Sequence, residues 1–157
     1  MGYALQPLLK IRLMRENRAG VELSAARQAR EAAETALEAR RKELTLYEET
    51  REERRDRIYA AIIGQPISRD RLDIASEGVA RIDAEGALKA DNVKRAEQDV
   101  KERADKEAEA RNNLNLATKD RMKIDEHRQV WVAEEAAEQE FREEIELEDF
   151  TGRKQEI

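Results

Sequence analysis

The chain has 157 residues, of which 42% are charged and 4% aromatic, with 6 Gly, 2 Pro and no Cys. That composition excludes a disulfide framework and a thiolate zinc site, and it leaves too little large apolar material for the thick core that an enzyme of this size buries. The net charge of -6 mixes both signs finely along most of the chain, which is the profile of long helices with a narrow apolar seam and not that of an unfolded polyelectrolyte.

The first element is expected to begin near Pro7, whose missing N–H suits a first helical position, and to run to about residue 63. Along it Leu23, Leu37, Leu44 and Ile58 share one seven-residue phase, with Ala26, Ala33 and Tyr47 three residues behind members of it. A period of seven keeps an apolar stripe turned toward a second helix. Gly64-Gln65-Pro66 then breaks the pattern: Gly64 can take the left-handed conformation that stops a helix, and Pro66 blocks immediate resumption.

A turn over 64–67 leads to a second helix from about 68 to about 150, capped by Ser68 and with Asp70 in its first turn. Here Val79, Val93, Val100 and Leu114 hold one phase, and Ile82, Ala96, Ala110, Ala117, Ile124 and Trp131 hold its partner. The expected fold is all-α, a single two-helix antiparallel coiled-coil hairpin over residues 1–157, helix two longer than helix one. At 1.5 Å per residue the arms would measure about 85 and about 125 Å. Folding at 64–66 sets Arg40 opposite Asp91 and Arg54 opposite Glu77, and lays Leu44, Leu46 and Tyr47 against Gly86, Ala87 and Ala84. Arg30, Arg51, Arg103, Glu107 and Arg121 interrupt the seam; such residues cost stability and fix register.

Charge is uneven. Residues 130–157 hold 10 acidic and 3 basic side chains, whereas Lys10, Arg12, Arg15 and Arg18 stand against a lone Glu16 near the start. An acidic tail beside a short basic face is a poor arrangement for nucleic acid, which needs a continuous basic surface. No apolar run approaches the roughly 20 residues of a membrane span. The opening residues lack a signal peptide's apolar stretch, and Gln6 stands where a myristoylation motif needs Ser or Thr. A cytoplasmic protein without direct membrane insertion is expected.

No catalytic constellation is present. His127 is the single histidine, no glycine-rich loop precedes a helix, and a two-helix rod has no pocket in which carboxylates could be desolvated. No cofactor and no metal site are expected. Asp70 and Asp73 near the turn raise the alternative of a transcription factor with an acidic tip, but Arg69 and Arg71 interleave them and a lone D-x-x-D is a weak motif. Trp131 lies on the seam phase, and Tyr47 is either a seam residue or a partner contact whose truncation weakens binding more than folding.

The two ends carry more information than the periodicity. Tyr3-Ala4-Leu5-Gln6-Pro7-Leu8-Leu9-Lys10-Ile11-Arg12-Leu13-Met14-Arg15-Glu16-Asn17-Arg18-Ala19 resembles the Y-x-L-x-x-L-L-x-I-R-x-x-R-E-x-R-A start of the FliJ/YscO family, the central stalk proteins of type III secretion systems. His127, Arg128, Trp131 and Glu134, followed by a run of Glu, are similar to the close of its injectisome members, sometimes called SctO. The resemblance implies a non-enzymatic stalk, similar in architecture to the coiled coil of the rotary ATPase γ subunit. It would seat in the hexameric secretion ATPase and couple it to the cytosolic domain of the export gate, in the cytoplasm at the inner-membrane base of the apparatus.

By position, the resemblance implies ATPase contacts at Leu8, Leu9, Ile11, Arg12, Arg15 and Trp131, and export-gate contacts at Leu44, Tyr47, Arg51, Val79 and Ile82. Secretion chaperones are further partners in this reading, and the chain alone would be a monomer. A generic coiled-coil scaffold or chaperone-binding module is the alternative from another class.

Overall fold

A computed structural model describes residues 2–155, and the side chains of 2–152. Two helices account for almost all of it, α1 (Gln6–Ala60) and the longer α2 (Arg69–Gln155), and among the described residues there is no strand. Pro7 occupies the first turn of α1, where its missing donor costs nothing.

The turn follows its residues. Helical hydrogen bonding continues past the end of α1, from the Ala61 and Ile63 amides to the Arg57 and Tyr59 carbonyls. Gly64 then adopts φ 84°, a left-handed conformation that a side chain would strain. The Ser68 hydroxyl accepts a bond from the Arg71 amide at 3.3 Å, capping α2, and Asp70 stands in the first turn against the positive end of the helix dipole.

The helices pack in two units, residues 1–23 with 110–157 and residues 24–109. Within each, buried and half-buried positions recur at alternating intervals of three and four. Leu9, Arg12, Glu16, Ala19 and Leu23 form such a series in the first unit, and Ala75, Val79, Ile82, Gly86 and Lys89 form one in the second. That alternation is the mark of a coiled-coil seam. Among the described residues no large side chain is fully enclosed, so the interior is one side chain thick.

The expected seam holds at Leu23, Ala33, Tyr47 and Ile82, all buried, but the ion pairs expected across it are replaced by others. Arg54 reaches Glu85 at 2.9 Å, about two helical turns from Glu77, while Arg40 pairs with Glu43 and Asp91 with Arg95 on their own helices. The turn lies where the sequence indicated, with helical bonding through Ile63 and α2 from Arg69; the difference comes from the charged side chains, which pair with carboxylates on their own helix or more than a turn away on the partner. Leu46, expected against the partner helix, is 63% exposed, since adjacent residues on a helix do not share a face and Tyr47 takes the inward position.

Gly20 tests how much local propensity matters beside so thin a seam. A Cβ built there meets nothing within 4 Å. Gly20→Ala is expected to stabilise the protein by about 0.8–1 kcal/mol, the helix-propensity difference alone, read as a higher melting temperature by circular dichroism.

Candidate functional site

In the first unit, the N-terminal residues are tied down by an aromatic cluster. Tyr3 is buried, with its hydroxyl 2.8 Å from His127 Nδ1 and its ring centroid 5.4 Å from that of Trp131. Trp131 thus serves first as an internal packing partner, as its phase in the sequence indicated. His127 is exposed on its helix and yet takes part in this hydrogen bond; a pairing across 124 positions leaves no local signal in the sequence.

Behind this cluster Leu9 is buried, and the seam becomes ionic. Arg12 Nη1 lies 3.0 Å from Asp120, and the Glu16 carboxylate accepts bonds from Arg121 and from the Thr118 hydroxyl. Of the residues assigned to an ATPase contact, Leu9, Arg12 and Trp131 therefore hold the helix pair together, Leu8 is half-buried, and Ile11 and Arg15 face solvent. Met14 and Val21, each 70% exposed, extend the outward apolar face begun by Ile11. The i, i+3 spacing of Ile11 and Met14 places them on one helix face, and spacing of that kind fits an inward seam as well as an outward face.

In the second unit, Tyr47 lies in the seam, only 5% exposed. Its hydroxyl donates to the Ile82 carbonyl. Its ring presses on Gly86 so closely that a Cβ there would stand 2.8 Å from Cε1, while the Arg54 guanidinium and Lys89 ammonium approach the ring at 5.6 and 6.0 Å. The glycine is the socket for the phenol, and the cations meet the ring's negative face. Ala84, expected to share that role, is exposed. Among the residues assigned to an export-gate contact, Tyr47 and Ile82 point inward, and Leu44, Arg51 and Val79 are half-exposed.

A buried charge lies further along the same unit. Glu107 is 4% exposed and is reached by Arg30 at 3.1 Å and Arg27 at 3.6 Å. The interruptions expected at Arg30, Arg103, Glu107 and Arg121 thus occupy seam positions, with opposite charges drawn onto Glu107 and Arg121.

At the turn, two shallow apolar cavities open on the pair. One, of about 650 Å³, is floored by Ile58, Ile62, Ile74 and Gly78 and edged by Arg57 and Arg71; the other, of about 510 Å³, is lined by Tyr59, Ile63, Ile67 and Leu72. Among the described residues no group of three or more His, Asp or Glu is placed to hold a metal ion, and no helix is long and apolar enough to cross a membrane. Among the described residues no nucleophile, base and oriented electrophile come together. What the surfaces offer is contact.

Comparison with known proteins agrees with the fold and the ends. A family model described as "Type III secretion protein YscO" matches residues 5–153. A solved structure described as that of a YscO homologue from Chlamydia trachomatis, CT670, superposes with a TM-score of 0.72 at 20% identity, over 98% of this chain and 93% of that one. None of the curated protein sequences matches.

Proposed function

Because the chain belongs to the YscO family of type III secretion proteins, we propose that it is the central stalk of such a system, seated in the hexameric secretion ATPase and coupled to the export gate. The observation that carries this reading is the division of labour at the N-terminal end. Leu9, Arg12 and Trp131 fix the helix pair, while Ile11, Met14, Arg15 and Val21 stand outward from it. A bundle of two helices inside a six-fold ring cannot touch every subunit alike, so such contacts favour one subunit's conformation over the next. Binding of that kind alters the ATPase cycle with no chemistry of the chain's own, and requires no cofactor or metal.

The gate contact belongs in this reading to the hairpin half, through Arg51 and the exposed edges of Leu44 and Val79, with Tyr47 and Ile82 supporting them from inside. Chaperone contacts and a cytoplasmic position at the inner-membrane base follow from the same assignment. A scaffold unconnected with the ATPase is the reading to be separated from it.

Co-purification with the cognate ATPase, followed by ATP hydrolysis with and without the chain, makes that separation. Stimulation by the wild type is expected, with a several-fold loss for Arg15→Glu at low salt, because rim charges act mainly on encounter and are screened. Arg12→Asp combined with Asp120→Arg preserves an internal pair and should stimulate nearly normally; Arg12→Asp alone should loosen the first unit. No binding and no stimulation by the folded wild type would favour the scaffold.

A further inference from the structure

The first unit carries a second stripe that its own helix pair does not use. Pro7, Ile11, Met14, Arg18 and Val21 follow one another at intervals of four and three, and all are exposed. The last four each stand two residues after a member of the seam series Leu9, Arg12, Glu16 and Ala19, about 200° round the helix, so the stripe runs along the side of α1 turned away from α2. Heptad spacing of exposed apolar groups is the form of a surface that receives another helix. The exposed charges around it are mostly cationic: Lys10, Arg15 and Arg18, the last bonded at 3.2 Å to Glu22.

A helix that lacks a partner lies in the same unit. Past Trp131, which packs on Tyr3, α2 continues to Gln155, and every side chain from 136 to 152 is exposed. Residues 132–152 hold nine acidic side chains and one basic, Arg142, bonded to Glu138 at 2.8 Å, whereas 1–23 with 110–131 hold nine basic and five acidic. Ala137, Phe141 and Ile145 recur one turn apart along this tail, Phe141 62% and Ile145 44% exposed. A helix in water draws most of its stability from burying such a stripe. The tail is continuous with α2 and cannot fold back onto its own α1 without breaking that helix.

Each face has the spacing the other needs and the opposite charge. With the tail laid beside α1 in the same direction and Phe141 against Ile11, equal rise per residue brings Glu140 level with Lys10, Ile145 beside Met14 and Glu148 level with Arg18. We propose that the outward face of α1 is the docking site for the acidic C-terminal helix of a second copy of this chain. A two-fold axis lets two copies exchange tails, so that both stripes of both copies are covered and the assembly closes. The contact consists of two short helix pairs with exposed charges, and is therefore reversible and weakened by salt. The monomer expected from sequence is its dilute, high-salt form. The dimer does not depend on the stalk assignment; where both hold, they compete for Ile11, Met14 and Val21.

The test is sedimentation equilibrium of the full chain across a concentration series, at low and high salt. A monomer–dimer equilibrium is expected at low salt, shifted several-fold toward monomer at high salt. Phe141→Ala with Ile145→Ala, at exposed positions and with good helix formers, should raise the dissociation constant about tenfold or more with unchanged helical signal. Lys10→Glu with Arg18→Glu in one chain, and Glu140→Lys with Glu148→Lys in another, should each give a monomer alone, and an equimolar mixture of the two should dimerise again, because both contacts then join opposite charges. The idea is overturned if the wild type is monomeric throughout at low salt, or if the alanine variant associates as the wild type does. Dimers that survive the Lys10 and Arg18 reversal would mean that the tails pair with each other, and a mixture that stays monomeric would mean that the two faces do not meet; either result also overturns it. A wild type that is monomeric alone and yet binds the secretion ATPase would assign the outward face to that partner, leaving the stalk reading intact and this one refuted.

Discussion

Tyr47→Ala is expected to destabilise the hairpin half by about 3–5 kcal/mol, the cost of removing a large buried aromatic from a site that cannot collapse around the space. The socket is preformed, because Gly86 sits on a helix whose backbone has no reason to move inward. Tyr47→Phe separates the components: it keeps the ring against Gly86 and loses the bond to the Ile82 carbonyl, for about 1 kcal/mol. Urea denaturation followed by circular dichroism reads both. Of the two roles open to Tyr47 from sequence, seam residue or partner contact whose truncation weakens binding more than folding, this expectation follows the first, in keeping with its burial. A wild-type midpoint for Tyr47→Ala would mean that the phenol contributes nothing to the seam and restore it as a binding residue.

The second large effect concerns the buried carboxylate. Arg27→Ala with Arg30→Ala is expected to lower stability at neutral pH, by up to about 3–5 kcal/mol, because it removes two of the cations that reach Glu107, a carboxylate only 4% exposed in the seam. Glu107→Ala should cost less, since Arg27 and Arg30 are each more than a third exposed and can turn their guanidinium groups to water. Replacing Arg30 and Glu107 together by Leu is expected to be neutral or stabilising by about 1–4 kcal/mol. In that variant the ionic layer that marks register is gone, and a sedimentation experiment should detect more self-association than in the wild type. An unchanged melting curve for the double alanine variant would show that the Glu107 layer carries no stability.

Most of the fold was legible because it rests on period and punctuation. Leu23, Ala33 and Ile82 announce the seam by their spacing, Gly64 announces the stop, and Ser68 the restart; each acts through its neighbours within a turn or two of helix. The ion pairs were not legible, because an arginine can take a carboxylate a turn away on its own helix or one across the seam, and spacing does not choose between them. Arg54 therefore found Glu85 instead of Glu77. Distinguishing inward from outward was harder still within pairs such as Leu46 and Tyr47, where either residue has the hydrophobicity to face the partner helix. At the N-terminal end, family likeness marked Leu9, Arg12 and Trp131, but a motif records that a residue matters and not whether it looks inward. The isoleucines of the turn escaped notice for the opposite reason: they belong to no period, and so read as loop filling.

The interior of each unit is one side chain thick, and that has a bearing on how such a protein changes over generations. Where a globular core makes a residue answer to neighbours on every side, here most positions answer to none. A substitution on the outward face alters what the molecule touches and leaves its folding alone, and one in the seam is felt a turn away in each direction. Surface and scaffold are therefore free to drift separately, and a helix pair of this kind can follow the divergence of its partners residue by residue without ever having to be rebuilt.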